Sequence, residues 1–357
     1  MTDKNTKKTK NIEIEITKDL DEKNTTKENK KETDYYFDSY SHFGIHEEML
    51  KDNIRTMSYK DAILKNPHLF KDKVVMDVGC GTGILSLFAA KAGARVVIGV
   101  ECSDIIVHAK KIVEENGYSD VIKLVHAKIE DIKELPMGIK KVDVIISEWM
   151  GYCLFYESMV NSVIYARDKW LVEGGVIMPD KSTLYISAME DPGFKKYKID
   201  FWDDILGFKM KCIQKLTYLE PLVDKVEPES IISNSTLLKT IDLMTVSVEE
   251  INFSKSFILT AQKDGNIDAF ATFFTYSFNF CHKPIYISTS PDSYYTHWKQ
   301  TIFYLEKNLP IYRGEVVKGI FTLKQNKNNF RDLDITVRYT FDSENEKINH
   351  FQEYRLR

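Results

Sequence analysis

Apolar residues between positions 74 and 147 fall into short runs separated by segments of helical composition. The runs are rich in Val and Ile, have the length of strands, and cover residues 74–78, 95–101, 121–127 and 142–147. Continuous apolar runs are typical of strands buried on both faces, and their alternation with helices predicts a parallel sheet. Val176–Pro179 resembles one more strand of this unit.

A glycine-rich loop follows the first run directly. Its sequence is Gly79-Cys80-Gly81-Thr82-Gly83, and an Ala- and Leu-rich segment of helical composition comes next. Glycine lets the backbone approach a ligand closely, and a helix N-terminus offers free N–H groups to the polar end of a ligand. A dinucleotide loop needs a further glycine where this chain has Ile84. The Gly-x-Gly-x-Gly spacing therefore suits a loop for S-adenosylmethionine better than one for NAD.

Acidic residues lie at the ends of the other three runs or shortly beyond them. Glu101 lies about 20 residues beyond the glycines, where doubly wound folds place an acid that binds a ribose diol. The third and fourth runs lead to Glu130 and Glu148. Because the carboxyl ends of parallel strands meet at one edge of the sheet, we expect Gly79 and these three acids to line one crevice.

Residues 148–157, here called the double-E loop, carry carboxylates only at their two ends, Glu148 and Glu157. Two desolvated carboxylates beside a methyl donor repel each other unless a cation joins them. A guanidinium suits that position because its paired N–H groups can be gripped from different edges, which aims one nitrogen at the methyl group. The nitrogen sheds its proton only after transfer begins, so a histidine within reach suffices as base. An amphipathic helix follows from Met159 to Trp170, and we expect it to end at Gly174-Gly175.

The segment before the first run is also patterned. Tyr36, Phe37 and Tyr40 fit one face of a helix, and so do Met49, Asp52 and Arg55, which are spaced by three. A buried Arg55 would suit a ligand carboxylate, although a surface arginine is the simpler interpretation.

Beyond Pro179 the pattern changes to strict alternation. Apolar and polar residues alternate from Leu333 to Phe341, which is typical of a half-buried strand. Segments 257–262 and 268–280 flank Asp264-Gly265-Asn266 and predict a hairpin. The C-terminal half is therefore mainly β, either a barrel or a sandwich. Residues 194–218 are an exception of helical composition with several aromatics, which favours a partner surface or a helix docked on its own barrel.

Composition and net charge narrow the class of protein and the partners it can have. The 357 residues are 43% hydrophobic and 29% charged, which is typical of a soluble globular protein with room for two domains. A net charge of −4 disfavours a general nucleic-acid binder and permits a basic partner. Residues 1–33 are charged and lack aromatics, so we expect a disordered tail. We expect no signal peptide and no membrane span, and five cysteines without metal-type spacing indicate a reducing compartment and no metal site.

Four motifs together resemble the protein arginine N-methyltransferases, and the resemblance covers the chain from Asp34 to its end. They are the double-E loop, Tyr36-Phe37-x-x-Tyr40, residues 78–83 and Thr296-His297-Trp298. The resemblance implies a Rossmann-like class I S-adenosylmethionine-dependent methyltransferase domain over 34–179. A β-barrel domain over 180–357 would follow, with an inserted helical dimerisation arm at about 191–222. One departure is Cys80, where we expect binding to survive because the loop acts through its backbone.

The resemblance also implies roles for individual residues. The implied S-adenosylmethionine contacts are Tyr36, Phe37, Tyr40, His46, Arg55, Asp77, Gly79, Gly81, Glu101 and Glu130. Among them, Arg55 would bind the methionine carboxylate, Glu101 the ribose and Glu130 the adenine. Glu148 and Glu157 would hold the substrate arginine, and His297 with Asp52 would form a proton-release pair. Met49, Met159 and Trp298 would shape the substrate pocket.

The implied activity is that of a type I enzyme, which gives monomethyl and asymmetric dimethylarginine and releases S-adenosylhomocysteine. We expect basic protein substrates such as histone tails and Gly/Arg-rich RNA-binding proteins, a homodimer or higher oligomer, and action in the nucleus and cytoplasm. We expect no direct nucleic-acid or membrane partner. A small-molecule or RNA methyltransferase is disfavoured because paired glutamates have no role with a neutral acceptor. A non-catalytic scaffold is disfavoured by the intact loops, and a type II enzyme by Met49.

Overall fold

The computed structural model describes residues 36–342 and 347–357. The tail expected over residues 1–33 lies outside the described residues. The first part of the described chain is built on one parallel sheet and the second part on two antiparallel sheets. The chain passes between them after Met178, and the first antiparallel strand begins at Lys181.

The first part confirms the predicted alternation of strands and helices. Its helices are α1 (36–41), α2 (Phe43–Lys51), α3 (Asn53–Leu64), α4 (Ile84–Lys91), α5 (Ile106–Glu115) and α6 (Val160–Trp170). Its strands are β1 (Val74–Val78), β2 (Val96–Glu101), β3 (Ile122–His126), β4 (Val142–Ile146) and β5 (Leu171–Met178). The five strands are parallel in the order β3-β2-β1-β4-β5. The order reverses beside β1, and such a switch point opens a crevice at the carboxyl ends of the strands.

The expected end of α6 at Gly174-Gly175 is wrong. The helix ends at Trp170, and the backbone of Leu171 is already extended and begins β5, which contains both glycines. A Cβ at Gly175 would lie 2.6 Å from Leu171 Cδ1 and 3.0 Å from the carbonyl oxygen of Asp143. Gly175 therefore allows close packing beside β4 and does not stop the helix.

The second part contains the β domain. Its strands are β6 (Lys181–Met189), β7 (Leu222–Asp224), β8 (Thr236–Asp242), β9 (Phe253–Thr260), β10 (Gly265–Phe278), β11 (Ile285–Ser288), β12 (Gln300–Ile311), β13 (Val316–Gln325), β14 (Leu333–Asp342) and β15 (Lys347–Leu356). One sheet has the order β7-β12-β10-β6-β8 with β11 added beside β10, and the other has the order β15-β14-β13-β9. The alternation predicted from Leu333 to Phe341 is confirmed, since the apolar residues of β14 are buried.

The predicted hairpin across Asp264-Gly265-Asn266 is wrong. β9 pairs with β13, whereas β10 pairs with β6, β11 and β12 in the other sheet. The two strands face each other across the core, where the rings of Phe257 and Phe270 lie 5.6 Å apart. The turn residues thus carry the chain from one sheet to the other, which local turn chemistry alone does not distinguish from a hairpin.

A helical arm lies between β6 and β7. It contains α7 (Pro192–Phe194), helical turns at Lys195–Ile199 and Asp200–Asp203, and α8 (Lys211–Leu219). Its inner side docks on the β domain, where Phe194 stacks on Tyr304 at 4.8 Å and Ile199 is buried. Its tip is apolar and open, with Leu206 94% and Phe208 70% exposed. The arm therefore combines both expectations, a docked helix and an exposed surface.

Candidate active site

A cavity of about 690 Å³ opens at the carboxyl edge of the parallel sheet. Gly79, Glu101, Glu130 and Glu148 all line it, which confirms the predicted crevice. Further residues named from the sequence also line it, namely Tyr36, Phe37, Tyr40, His46, Met49, Arg55, Gly81, Glu157, Met159 and His297. The cavity thus joins α1, α2, the double-E loop and the β domain around the glycine loop.

The glycine loop requires glycine at two positions that face the cavity. Gly79 and Gly81 have φ of 71° and 53°, in the left-handed region that side chains disfavour. A Cβ at Gly79 would overlap Met159 Cε, and one at Gly81 would lie 3.0 Å from His46 Cε1. The loop can therefore present its backbone to a ligand at close range.

Glu101 is held rigidly at the end of β2. Its Oε1 accepts hydrogen bonds from the backbone N–H groups of Cys102 and Ser103 and from Ser103 Oγ, each at 2.8 Å. Its Oε2 accepts from the backbone N–H of Gly81 at 2.9 Å. This anchoring fixes an anionic oxygen beside the glycine loop, where a ligand diol can donate to it.

Met49, Asp52 and Arg55 do not share one helix face, contrary to the prediction. Asp52 ends α2 and caps α3, because its backbone is extended and its Oδ1 accepts from the backbone N–H of Arg55 at 3.0 Å. The residues still converge, since Arg55 Nη1 donates to the carbonyl of Met49 at 3.3 Å. The break frees Asp52 Oδ2 to accept from both the backbone N–H and Nδ1 of His297, at 2.9 and 2.8 Å.

The Asp52 carboxylate remains ionised in this setting. Burial acts to raise its pKa, but the hydrogen bonds from His297 and Arg55 outweigh burial and hold the pKa below its ordinary value. Because an ionised carboxylate only accepts hydrogen bonds, His297 carries its proton on Nδ1, which leaves Nε2 able to take up another.

Arg55 and Glu148 form a buried ion pair in the cavity wall. Arg55 Nε and Nη2 both approach Glu148 Oε2, at 2.9 and 2.8 Å, and the two side chains are each 8% exposed. Glu148 Oε1 is buried and has no hydrogen-bond partner among the described residues. A buried carboxylate oxygen without a donor is costly, so this atom marks a place for a hydrogen-bonding ligand.

Glu157 closes the double-E loop opposite this pair. Tyr40 Oη donates to its Oε2 at 2.8 Å, and the residue has φ of 71°. Burial raises the pKa of Glu157 to about 7, with a smaller rise from Glu148, against the lowering effects of the Tyr40 hydrogen bond and the Arg331 charge. Residues held in the left-handed region persist only where the surrounding structure fixes them, which is common at functional sites.

Two residues named from the sequence lie behind the cavity wall. Asp77 is fully buried beneath the glycine loop, where its Oδ2 accepts from Ser86 Oγ at 2.7 Å and burial raises its pKa to about 7. Trp298 is 2% exposed and donates from Nε1 to the carbonyl of Met150 at 2.8 Å, which supports the double-E loop from behind. Their implied ligand contacts stay predictions.

Sequence reasoning missed Lys128, Phe330 and Arg331, which also line the cavity. Phe330 and Arg331 come from the loop between β13 and β14, far along the chain from every motif. A lone arginine after an aromatic residue in a polar loop carries no local signal. Only the packing of the β domain against the first domain brings it to the site.

These features fit S-adenosylmethionine. The glycine loop can receive it through the backbone, Glu101 can bind its ribose, and Arg55 can pair with its carboxylate. Among the residues that the structure describes, no group of His, Cys, Asp or Glu is arranged to hold a metal ion. The fold and the site define a Rossmann-like S-adenosylmethionine-dependent methyltransferase.

Comparison with known proteins identifies the family. The chain is 52% identical over 323 residues to protein arginine N-methyltransferase 1 of Caenorhabditis elegans, covering 90% of this chain and 93% of that protein. It is 53% identical over 324 residues to probable protein arginine N-methyltransferase 1.2 of Arabidopsis thaliana, covering 91% and 88%. The chain belongs to the protein arginine N-methyltransferase family.

Further matches cover both the first part of the chain and the β domain. Residues 180–344 match the model of the arginine methyltransferase oligomerization subdomain, and residues 62–201 match that of ribosomal protein L11 methyltransferase. The fold is similar to Trypanosoma brucei PRMT1 in an enzyme–prozyme heterotetramer with AdoHcy, with a TM-score of 0.86, 44% identity and coverage of 90% of this chain and all of that chain. Each helix in the part of the chain that the structure describes is too short or too polar to span a lipid bilayer.

Proposed function

We propose that this protein is a type I enzyme, which transfers methyl groups to the ω-nitrogens of protein arginine and gives monomethyl and asymmetric dimethylarginine. The observation that carries the proposal is the pairing of Glu157 with a buried Glu148 whose Oε1 has no donor among the described residues. A substrate guanidinium supplies such donors and the charge that two neighbouring carboxylates require.

The chain's own residues supply positioning and electrostatics. The bound cofactor contributes a methyl group made electrophilic by its sulfonium. Glu148 and Glu157 grip the guanidinium from two edges, which orients one nitrogen for in-line attack and draws positive charge away from it. The ion pair with Arg55 keeps Glu148 Oε2 fixed, so the free Oε1 faces the incoming cation with little reorganisation.

His297 and Asp52 provide a route for the proton that the methylated nitrogen releases. His297 lines both the main cavity and a second cavity of about 540 Å³, which Asp52, Glu47, Glu48 and Tyr295 also line. Nε2 can accept the proton while Nδ1 stays hydrogen-bonded to the ionised Asp52, and the proton can then leave through the second cavity. This pair therefore acts late, in product deprotonation.

The methionines support the type I assignment. Met49 and Met159 both line the cavity, and Met159 Cε lies so close to Gly79 that a Cβ there would overlap it. Their bulk narrows the space around the guanidinium, so a monomethylated arginine fits with its methylated nitrogen again toward the donor. The second methyl group then joins the first on one nitrogen.

The direct test is a methylation assay with an Arg-Gly-rich peptide, read by mass spectrometry that separates the dimethylarginine isomers. We expect monomethyl and asymmetric dimethylarginine. A symmetric product would refute the methionine argument and leave the family assignment intact. Cofactor binding without transfer to arginine would refute the proposed activity.

Activity is expected to fall below about pH 7 because Glu157 must be ionised to hold a guanidinium. With its pKa raised to about 7, the neutral acid dominates at lower pH, and kcat/KM for the peptide should drop about tenfold per pH unit.

The groups facing Glu157 are Tyr40, Arg331 and Glu148. Tyr40→Phe removes a hydrogen bond that lowers this pKa, so the acidic limb should move to higher pH. The measurement is a pH profile at saturating cofactor, and a limb near pH 4.5 would contradict the assignment.

We also propose that the substrates are histone tails and Gly/Arg-rich RNA-binding proteins, and that the enzyme acts in the nucleus and cytoplasm. In the second cavity Lys51 pairs with Glu47, and Glu48 and Asp52 leave an excess of negative charge beside the site, which favours encounter with basic chains. All five cysteines are free thiols, as is usual in reducing compartments. Methylation of cell extracts and fractionation of tagged protein test these points.

A homodimer formed through the arm is the proposed active state. The arm tip exposes Leu206 and Phe208, and the matching family model is an oligomerization subdomain. Phe208→Glu should yield a monomer in light scattering with at least tenfold lower kcat/KM, because burying a charge in an apolar interface is unfavourable. Tyr312→Glu, at a 59% exposed site outside the arm, is the control. A dimeric, fully active Phe208→Glu would contradict the proposal.

A further inference from the structure

Arg331 joins three parts of the site that are distant in sequence. Its guanidinium carbon lies 3.8 Å from the ring centre of Tyr36 and 5.1 Å from that of Phe37, both in α1. Its Nη1 donates to the carbonyl of Glu157 at 2.8 Å, and its own carbonyl accepts from the backbone N–H of Glu157 at 2.8 Å. One side chain of the β domain thus contacts both α1 and the double-E loop.

Neighbouring contacts support this arrangement from each side. Ser158 Oγ donates to the carbonyl of Phe330 at 2.6 Å, so the end of the double-E loop is fixed to the β13–β14 loop. Lys128 Nζ, which belongs to the first domain, lies 5.1 Å from the ring centre of Phe37. It is the second cation that contacts an aromatic ring of α1. α1 is therefore docked through cation–π contacts to both domains. Two links lead from α1 to Glu157, which are the Tyr40 hydrogen bond to its Oε2 at 2.8 Å and the Arg331 contact with its main chain.

We propose that Arg331 is a positioning residue that links closure of α1 over the cofactor cavity to the placement of Glu157. When α1 is docked, Tyr36 and Phe37 hold the guanidinium plane, which keeps Nη1 on the Glu157 carbonyl. When α1 is displaced, the guanidinium loses this support and the left-handed turn at Glu157 loses a main-chain contact. Binding of cofactor under α1 should then strengthen binding of the substrate arginine, and the reverse. The inference rests on the proposed role of Glu157.

The chemistry of arginine suits this role better than that of lysine. A planar guanidinium can stack on an aromatic ring and donate in its own plane at the same time, whereas an ammonium is a compact point charge. Arg331→Lys should therefore keep the charge near Glu157 but weaken the link to α1. The reason is that a compact ammonium can contact a ring, as Lys128 contacts Phe37, without also donating in a fixed plane to the Glu157 carbonyl.

The test measures peptide affinity with and without S-adenosylhomocysteine, by calorimetry, together with steady-state kinetics. In the wild-type protein, S-adenosylhomocysteine should tighten peptide binding at least about fivefold. In Arg331→Ala this factor should fall at least about twofold, because only the Tyr40 link to Glu157 remains, and kcat/KM for the peptide should be lowered about 10- to 100-fold. Arg331→Lys should recover part of kcat/KM without recovering the coupling factor.

Arg167→Ala is the matched control, because Arg167 also bridges the two domains. Its Nη1 donates to the carbonyls of Leu243 and Val246, each at 2.8 Å, and its side chain is absent from the cavity wall. This variant should lose thermal stability and keep the coupling factor. Equal coupling in wild type and Arg331→Ala, or none in wild type, would overturn the inference. Wild-type protein that binds cofactor but transfers nothing to arginine would instead refute the proposed function.

Discussion

Glu148→Gln is expected to lower kcat/KM for an arginine peptide about 10³-fold, which corresponds to about 4 kcal/mol. The variant keeps the size of the side chain and removes its charge. The substrate guanidinium then loses an anionic partner in a buried site, where Oε1 has no other donor among the described residues. Arg55 also loses its counter-charge, and its unneutralised positive charge then repels the substrate guanidinium. The measurement is a steady-state assay at saturating cofactor.

Cofactor binding should respond less strongly to Glu148→Gln. Arg55 retains hydrogen bonds from Nη1 to the Met49 carbonyl and Thr56 Oγ1, at 3.3 and 3.5 Å, so its place in the wall is kept. We expect S-adenosylhomocysteine affinity to change less than about tenfold in calorimetry. Glu130→Gln is the contrasting variant. It should weaken cofactor binding, and its activity should recover at saturating cofactor, whereas the activity of Glu148→Gln should not. If Glu148→Gln retained more than a tenth of wild-type kcat/KM, Glu148 would not be the main partner of the guanidinium.

The sequence predicted the parts of this site that depend on strand ends. In a parallel sheet every strand delivers its next residues to the same edge, so Gly79, Glu101, Glu130 and Glu148 could be brought together from spacing alone. The same logic found β14, whose alternation reflects one buried and one exposed face. In the first case the place of a residue at a strand end fixes its location in the fold, and in the second the period of two fixes which side chains are buried.

The remaining features depend on contacts between distant segments. The break at Asp52 interrupts a regular helical pattern because its carboxylate both caps α3 and binds His297, 245 positions further on. The hairpin prediction failed because Phe257 and Phe270 pack across the core, and a turn sequence does not specify which sheet each strand joins. Arg331 acquires its partners only when the β domain packs on the first domain. Such information is not contained in a short window of sequence.

Gly151→Ala is expected to lower kcat/KM for the peptide at least about 100-fold by displacing Glu157. A Cβ at position 151 would overlap the carbonyl oxygen of Tyr156 and lie 2.9 Å from its carbonyl carbon. The loop has little room to adjust, because Gly151 and Leu154 form a bridge and both Leu154 and Glu157 adopt positive φ. A displacement of about 1 Å in a positioning residue is enough for a loss of this size.

The clash involves main-chain atoms, so a change of rotamer cannot relieve it and the loop itself must move. The glycine loop follows β1 and Glu101 ends β2, so neither belongs to the loop that must move. S-adenosylhomocysteine affinity measured by calorimetry should therefore stay within a few-fold of wild type. Gly117→Ala separates this effect from the general cost of replacing glycine, since Gly117 has φ of 73° and a Cβ there would meet nothing within 4 Å. That control should lose about 1 kcal/mol of stability and keep its activity. If Gly151→Ala transferred methyl groups within threefold of the wild-type rate, the position of Glu157 would not depend on the tight closure of the double-E loop.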